Sequence, residues 1–350
     1  MQALTVEPTT AGSLKVDSVK DPEPRSGEML VDGIAIGVCG TDREIVDGSY
    51  GWAPPGCKRL ILGHESLGRV ATAPPDSGFS AGDLVVGVVR RPDPVPCPAC
   101  AHGEFDMCRN GRYTERGIKE RDGYGSEQWT VETDYAVVLD PRLHDVGVLT
   151  EPTTVVAKAW EQVYRVGERA YFDPQRALIT GAGPVGLLAA LLSVQRGLDT
   201  HVLDRVTGGP KPGIVEALGA TYHHEDIDDV ATKLKPDVVL EATGAGPVVF
   251  GAIAATASYG IVCLTGVSPA GRRMRIDAGA VNREIVLEND AVVGSVNANL
   301  RHYHKAVEAL AAADGDWLAS LITRRVPLAR ADEAFSAQQD DVKVVIDLTG

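Results

Sequence analysis

Residues 176–205, RALITGAGPVGLLAALLSVQRGLDTHVLDR, decide the fold of the second half of the chain. They have the pattern of a short apolar strand, a glycine turn, an apolar helix and a second strand. The turn holds Gly181, Gly183 and Gly186 in the order GxGxxG, between strand and helix. The first glycine permits the tight turn, the second lets the backbone approach a pyrophosphate, and the third lets the helix pack against the strand. The pattern predicts a dinucleotide site at a helix N-terminus, although these glycines could form only a tight strand–helix turn.

The residue that ends the second strand bears on the choice of dinucleotide. Asp204 places a carboxylate about 20 residues after the glycine turn, where it can bind both ribose hydroxyls and favours NAD. Arg205 and Lys211 could instead accept the 2′-phosphate of NADP, so NADP use stays open. The segment EATG, residues 241–244, would end a later strand of the same sheet, where the cofactor passes. The residues expected to contact the cofactor are Gly181, Gly183, Pro184, Val185, Gly186, Asp204, Arg205, Thr243 and Gly244.

The pattern of the chain divides it into two expected domains, the default for 350 residues. After residue 175, PDVVLEATG and YGIVCLTGVS are short strands separated by helical stretches, which indicates a parallel sheet covered by helices. Earlier, runs such as EMLVDGIAIGVCG and DLVVGVV alternate with Gly, Pro and Asp, which is typical of a small β-rich barrel. The tail holds a helical HYHKAVEALAAA and a strand DVKVVIDL. We expect an α/β protein with a Rossmann dinucleotide-binding domain at 153–295 and a discontinuous β-rich domain at 1–152 and 296–350.

Composition and charge exclude several classes of partner. The formal charge of −14 would repel the phosphates of nucleic acid, although such acidity could also reflect a salt-adapted source. The first 24 residues contain no basic head followed by an apolar run, and VGLLAALLSV is too short to span a bilayer. We therefore expect a cytoplasmic protein with no nucleic-acid or membrane partner. Six cysteines in that compartment are more often metal ligands or buried thiols than disulfides.

Two short segments of the first half carry residues that suit a metal. Cys39 lies in GVCGTD and His64 in LGHESLGRV. A thiolate and an imidazole are natural zinc ligands, and a catalytic zinc needs three protein ligands and one open position. The third ligand could be Glu65 or Glu151. Taken alone, Cys39 would more often be a buried thiol and His64 a hydrogen-bonded structural histidine.

A second candidate metal site is a cluster of cysteines in CPACAHGEFDMC, residues 97–108. CxxC with a third cysteine nearby is a strong zinc signal in a cytosolic chain. The pattern therefore predicts structural zinc on Cys97, Cys100 and Cys108, and the alternative is a loop of reduced thiols without metal. Cys57 and Cys263 have no partner at such a spacing.

The motifs CGTD, GHE followed by Gly68, and TGAGPVG, with the order of the domains, resemble the zinc-containing medium-chain dehydrogenases over nearly the whole chain. Within that superfamily the chain is most similar to the glucose 1-dehydrogenases, on the stretches CGTDREIVDGSYG, LILGHESLGRV, VVRRP, YTERGIKERDGYGSEQW, LTEPTTVVAKAW and VGSVNANLRHYHKA. The resemblance implies a GroES-like fold for the β-rich catalytic domain. It also implies a homodimer or homotetramer.

The resemblance implies a role for each matching residue. Cys39 and His64 would hold the catalytic zinc, with Glu65 and Glu151 as ligands or close neighbours of the metal. Thr41 would hydrogen-bond the reacting hydroxyl and help to pass its proton outward. Glu115 and His302 would bind sugar hydroxyls, together with Thr41 and Glu151, and Asn297 would contact the cofactor. Val89 stands where the family can have an asparagine, which leaves the choice of sugar open.

The resemblance also bears on the cysteine loop. The family's structural lobe normally uses four cysteines, and here Asp93 and Pro94 occupy the place of the first. Asp93 is the best candidate for a fourth ligand, because a carboxylate oxygen can complete a tetrahedral site. His102 is an alternative.

The implied reaction is oxidation of the C1 hydroxyl of an aldose, D-glucose to its lactone, with hydride transfer to NAD or NADP. Alternatives are a polyol or secondary-alcohol dehydrogenase of the same superfamily and a redox-sensing dinucleotide-binding protein without catalysis. Simpler interpretations of single residues also stay open. Glu115 could be a surface carboxylate paired with Arg112 or Arg116. Thr41 could cap a helix, and His302 could be a surface residue at a helix start.

Overall fold

The computed structural model describes residues 1–268, 271 and 273–349. The chain forms two compact units, one of Met1–Glu151 with Ala298–Gly350 and one of Pro152–Asn297. In the part of the chain that the structure describes, no helix combines the length and apolar character needed to cross a membrane.

The elements before residue 150 are β1 (Gln2–Val6), β2 (Lys15–Ser18), β3 (Glu28–Val38), α1 (Gly40–Val46), β4 (Leu60–Ile61), β5 (Glu65–Thr72), β6 (Leu84–Gly87), β7 (Arg90–Arg91), α2 (Pro98–Ala101), β8 (Thr114–Arg116), β9 (Glu120–Arg121), β10 (Gln128–Glu132) and β11 (Ala136–Val138). Next come α3 (Thr150–Gly167), β12 (Arg176–Thr180), α4 (Pro184–Val194), β13 (Asp199–Leu203), α5 (Pro210–Ala217), β14 (Thr221–His223), α6 (Ile227–Leu234), β15 (Val238–Glu241), α7 (Gly246–Ile253), β16 (Ile261–Leu264), α8 (Ala278–Glu288) and β17 (Ala291–Gly294). The last are α9 (Leu300–Ala311), α10 (Gly315–Ser320), β18 (Ile322–Pro327) and β19 (Lys343–Asp347). Short 3-10 turns lie at Phe105–Met107, Thr133–Tyr135, Pro141–Leu143, Gly147–Leu149 and Leu328–Phe335.

The first unit is built on a seven-stranded sheet in the order β11-β6-β5-β3-β19-β18, with β10 also paired to β3. The C-terminal strand β19 pairs with β3 in antiparallel orientation, so the tail of the chain completes this sheet. Its core includes Met29, Ile36, Trp129 and Ile346. Burying each such side chain contributes about 1.5–3 kcal/mol, which holds the ends of β3 and β5 in fixed register.

The second unit is a six-stranded sheet in the order β14-β13-β12-β15-β16-β17. All of its pairings are parallel, as the alternation of strands and helices predicts. Its central strands β12, β15 and β16 are mostly buried and apolar, as expected for a parallel sheet covered by helices. The strand order reverses at β12, where ligands of doubly wound sheets bind beyond the carboxyl ends of the strands.

Candidate active site

Cys39 follows strand β3 and is the N-cap residue of helix α1. Its Sγ accepts a hydrogen bond from the main-chain N–H of Thr41 at 3.3 Å. In return, the Asp42 carboxylate accepts from the main-chain N–H of Cys39 at 3.0 Å. This reciprocal cap fixes the thiol at the helix start. Thr41 is therefore inside the helix and is not its cap.

His64 immediately precedes strand β5 and is almost fully buried. Its Nε2 lies 3.1 Å from Sγ of Cys39, and its Nδ1 lies 3.2 Å from Oδ1 of Asp42. Burial alone would lower the pKa of His64, but the Asp42 carboxylate outweighs it and raises that pKa well above its usual value. Asp42 thus fixes the ring so that Nε2 faces the thiol, the arrangement by which carboxylates orient metal-binding histidines.

Glu65 opens strand β5, and its carboxylate is buried against Lys343 of strand β19. Both side chains are almost inaccessible to solvent. Nζ of Lys343 also donates to the main-chain oxygen of Val38 at 3.1 Å. The neighbouring Gly37 must lack a side chain, because a Cβ atom there would collide with the Glu65 carboxylate. Among the residues that the structure describes, the ligand atoms of Cys39, His64 and Glu65 all lie within 4.8 Å of one another.

Glu151 lies in the first turn of helix α3 and is half-buried. Burial raises the pKa of its carboxyl to about 7; the charge of His64 opposes the shift and that of Glu65 adds to it. Glu151 is thus within electrostatic range of both residues. It is not part of the three-residue group whose ligand atoms lie within 4.8 Å in the described chain.

Glu115, an expected sugar ligand, lies on strand β8 opposite Arg90 of strand β7. Oε1 of Glu115 accepts from Nε of Arg90 at 3.1 Å and from Nη2 at 2.9 Å. Only 6% of Glu115 is exposed, so the interpretation as a surface carboxylate paired with Arg112 or Arg116 is wrong. The two hydrogen bonds from Arg90 instead hold a buried carboxylate in a fixed position.

His302, the second expected sugar ligand, is in the first turn of helix α9 and is fully buried. Its Nδ1 accepts the main-chain N–H of Asn299 at 3.1 Å. The neutral imidazole therefore carries its proton on Nε2. The interpretation as a surface residue is wrong, although the position at a helix start is as predicted. Val89, where the family can have an asparagine, has a buried apolar side chain.

The three cysteines of the loop at residues 97–108 have their sulfur atoms within 4.8 Å of one another. Hydrogen bonds from the main chain at Arg109 and Cys100 lower the pKa of Cys97 to about 6, which favours the metal-binding thiolate. The Asp93 carboxylate accepts from the main-chain N–H of Val95 at 2.8 Å and from Asn110 at 2.9 Å. Neither Asp93 nor His102 belongs to the three-sulfur group in the described chain, and the role of Asp93 stays a prediction.

The glycine turn of the second unit has the geometry that the motif predicts. Gly181 has a φ of +93°, which permits the tight turn. A Cβ atom on Gly186 would collide with the main-chain oxygen of Gly181, so the helix packs directly against the strand end. Helix α4 begins with Pro184 and has Gly183 as its N-cap residue. Its first N–H groups are therefore open to an anion.

Asp204 follows strand β13 and is tied to this turn. Its carboxylate accepts from the main-chain N–H of Ala182 at 2.7 Å and from Nζ of Lys211 at 3.1 Å. Burial alone would raise the pKa of Asp204, but these contacts outweigh it and lower that pKa. Arg205 beside it is exposed. Lys211 thus neutralises Asp204, while the guanidinium of Arg205 is open to solvent.

The loop after strand β15 is organised by a buried carboxylate. Oε1 of Glu241 accepts from the main-chain N–H groups of Thr243 at 2.7 Å and Gly244 at 3.0 Å. Glu241 is fully buried and fixes the loop at the carboxyl end of the parallel sheet. Asn297, also expected to contact the cofactor, has a φ of +63°.

Sequence reasoning missed three residues that organise these sites: Asp42, Lys343 and Glu241. Asp42 could have been found, because Cys39 to Asp42 has the spacing of a capping box. A lone lysine within the apolar strand DVKVVIDL also signals a buried partner, although the partner cannot be read from the sequence. Glu241 was seen only as part of a strand end.

Comparisons with known proteins agree with both halves of this description. The model of the alcohol dehydrogenase GroES-like domain matches residues 25–141, and that of the glucose dehydrogenase C-terminus matches residues 144–348. A glucose 1-dehydrogenase of Methanocella arvoryzae is 40% identical, with 99% of each chain covered. One of Thermoproteus tenax is also 40% identical, with 99% of each covered.

Solved structures give the same result. The glucose dehydrogenase of Haloferax mediterranei, in complex with NADP, Zn and gluconolactone, superposes with a TM-score of 0.92 at 34% identity over 100% of each chain. A galactitol-1-phosphate dehydrogenase of Escherichia coli superposes with a TM-score of 0.81 at 22% identity, covering 99% of each chain, and indicates the fold alone.

Proposed function

Because the chain belongs to the glucose dehydrogenase family of zinc-dependent medium-chain dehydrogenases, we propose that it oxidises the C1 hydroxyl of an aldose with hydride transfer to NAD(P). D-Glucose is the proposed aldose and gluconolactone the proposed product. The observation that carries the proposal is the convergence of Cys39, His64 and Glu65 within 4.8 Å. Two observations support the choice of glucose: the relative from Methanocella arvoryzae is a glucose 1-dehydrogenase, and the Haloferax glucose dehydrogenase binds gluconolactone.

The residues at this cluster fit a zinc ion. The donor set is one thiol, one imidazole and one carboxylate, which are the three ligand types that zinc prefers in proteins. Asp42 presents Nε2 of His64 to the cluster, and the helix start holds the thiol of Cys39. Cys39 and His64 would hold the ion, with Glu65 or Glu151 beside them. When bound, zinc would act as a Lewis acid that lowers the pKa of a sugar hydroxyl.

The chain's own groups orient the sugar and move its proton. Thr41, whose main-chain N–H contacts the Cys39 thiol, would hold the reacting hydroxyl and pass its proton outward. The carboxylate of Glu115 would accept a hydrogen bond from one sugar hydroxyl, and Nε2–H of His302 would donate one to another. An acceptor and a donor held on separate elements distinguish sugars by the positions of their hydroxyls. Val89 contributes no such group, so selectivity at that position would be relaxed.

The cofactor would bind over the glycine turn of the second unit. The N–H groups at the start of helix α4 would bind the pyrophosphate, and the loop at Thr243 and Gly244 would lie beside the nicotinamide half of the cofactor. Pro184, Val185 and Asn297 belong to the same proposed contact set. NAD is favoured because Asp204 can accept hydrogen bonds from both ribose hydroxyls. The exposed Arg205 leaves NADP as a second cofactor.

The test is turnover with defined substrates. Purified protein is mixed in turn with D-glucose, galactose, xylose and a secondary alcohol, each with NAD and then NADP, and reduced nicotinamide is followed. Glucose oxidation that a chelator abolishes and zinc restores supports the proposal. Turnover of the secondary alcohol alone would keep the mechanism and reject the sugar. Bound cofactor with no turnover of any substrate would favour the redox-sensing alternative.

We also propose a homo-oligomer in the cytoplasm. Strand β17 is an edge of the six-stranded sheet, and Val292 on it is exposed. Val286 and Leu287 of the preceding helix are more than half exposed, so this edge carries apolar surface that a second copy could cover. The cysteines of the chain are free thiols, which fits a reducing compartment. Light scattering at working concentration, which measures the mass in solution, tests the oligomer.

A further inference from the structure

The two proposed sugar ligands are joined by one buried aspartate. Asp106 lies in the 3-10 turn Phe105–Met107, within the cysteine loop, and only 5% of it is exposed. Its main-chain oxygen accepts from Nη1 of Arg90 at 3.0 Å. Its side-chain Oδ1 accepts from Nδ2 of Asn299 at 2.8 Å. One residue thus binds two segments that are about 200 positions apart in the sequence.

On one side the connection reaches Glu115. The guanidinium that donates to the main chain of Asp106 also donates twice to Oε1 of Glu115. The same guanidinium stacks on Tyr113, with its carbon 3.6 Å from the ring centroid. Stacking on Tyr113 and three hydrogen bonds therefore fix the orientation of the Arg90 guanidinium. The guanidinium in turn fixes the position of the Glu115 carboxylate.

On the other side the connection reaches His302. Asn299 is the N-cap residue of helix α9; its Oδ1 accepts from the main-chain N–H of Arg301 at 3.2 Å. Its own main-chain N–H donates to Nδ1 of His302 at 3.1 Å. The side-chain amide of Asn299 therefore accepts a hydrogen bond from the helix main chain through Oδ1 and donates one to Asp106 through Nδ2. Displacing Asn299 would move the group that fixes both the ring and the tautomer of His302.

We propose that Asp106 is a positioning residue that holds the hydrogen-bond acceptor Glu115 and the hydrogen-bond donor His302 at a fixed separation for the sugar. The inference rests on the proposed function. Asp106 supplies no group to the chemical step, so its link to Asn299 sets the KM for the aldose and leaves kcat and cofactor binding nearly unchanged. The turn ends at Cys108, so the cysteine loop supports the sugar site through Asp106.

The test removes the hydrogen bond between Asn299 and Asp106 and then restores it in the opposite direction. Asn299→Asp replaces the donor by an acceptor that faces Asp106, while aspartate remains a good helix N-cap, so folding is retained. The expected result is a rise of roughly tenfold in the KM for glucose, because two buried carboxylate oxygens then face each other without a hydrogen-bond donor between them. Asp106→Asn added to Asn299→Asp restores a donor and an acceptor and returns the KM to within about threefold of wild type. Throughout, kcat and the KM for the cofactor stay within about threefold.

A control variant lies in the same turn. Glu104 is 3.7 Å from Arg301 of helix α9, and Glu104→Gln weakens that partly exposed pair without touching the Asp106 link. Its KM should equal that of wild type. If wild type oxidises no aldose, the proposed function falls and the inference with it. If wild type is active but Asn299→Asp leaves the KM unchanged, or the double variant does not restore it, the inference alone is overturned.

Discussion

Nδ1 of His64 lies 3.2 Å from Oδ1 of Asp42, while the other ring nitrogen faces the thiol of Cys39. The same carboxylate accepts the main-chain N–H of Cys39. One buried side chain therefore positions both of the residues that are expected to hold zinc. Outer carboxylates of this kind fix the ring tautomer and raise the basicity of the ligand nitrogen.

Replacing Asp42 by Asn should weaken metal binding while leaving the ligands in place. The neutral amide no longer stabilises the imidazole, so we expect zinc affinity to fall by roughly 10–100-fold. Competition with a chelator of known affinity measures the change. Glu44→Gln is the matched control, because Glu44 is exposed on the same helix. Equal zinc affinities of the Asp42 and Glu44 variants would contradict this role for Asp42.

Replacing Cys39 by Ser should abolish turnover and leave cofactor binding nearly unchanged. The hydroxyl is a poor zinc ligand at neutral pH, and the glycine turn that would bind the dinucleotide belongs to the other unit. Turnover and cofactor binding, the latter by fluorescence titration, are measured on the same preparation. Cys57→Ser is the control, because Cys57 is exposed and belongs to neither of the two groups of candidate metal ligands. Turnover that survives in Cys39→Ser would reject the zinc mechanism.

Replacing Lys343 by Met should destabilise the fold as well as the site. The change leaves the Glu65 carboxylate buried without its cation, and breaking a buried pair costs about 3–5 kcal/mol. Denaturant unfolding measures the loss. Adding Glu65→Met should recover much of the stability without recovering turnover, because two apolar side chains can replace a buried ion pair.

The control for Lys343 is Lys20→Met. Lys20 pairs with Glu23, and about four-fifths of each side chain is exposed, so its loss should cost at most about 1 kcal/mol. A similar cost for both lysines would contradict the importance of burial at Lys343.

The sequence predicts what local pattern determines and misses what distant segments build. The glycine turn is local, and the structure places Gly181 and Gly186 as the motif requires. Cys39 and His64 can be predicted as a pair because both residue types bind zinc, and the pairing of strand β3 with β5 brings them together. Glu65 and Lys343 meet only because β19 joins β3 from the end of the chain. No periodicity or spacing encodes that pairing, so the buried cation could not be assigned from sequence.

The Glu115 environment shows the same limit. The simpler interpretation of Glu115 paired it with Arg112 or Arg116, its neighbours in sequence, whereas the antiparallel pairing of β7 with β8 places it opposite Arg90. Which arginine faces a carboxylate depends on strand register, and two-residue strands carry too little pattern to fix it.

Glu132 is held by three arginines on the first unit. Its carboxylate lies 2.6 Å from Arg91, 3.0 Å from Arg121 and 3.7 Å from Arg116. Burial would raise the pKa of Glu132, but hydrogen bonds and the charge of Arg91 outweigh it and lower that pKa to about 2. Because 29% of the side chain is exposed, solvent screening reduces the stabilisation from these contacts to on the order of 1–2 kcal/mol.

Glu132→Gln should therefore lower stability at neutral pH and change its dependence on pH. A lowered native pKa stabilises the fold above the unfolded value of about 4.3, and this contribution is lost as pH falls toward about 2. We expect the difference in unfolding free energy between wild type and the variant to be constant from pH 7 to about 5 and to shrink below that. Urea unfolding across this range measures it. Glu23→Gln, at an exposed surface pair, should show almost no difference at any pH. A difference for Glu132→Gln that stays constant down to pH 3 would show that packing, not charge, is responsible.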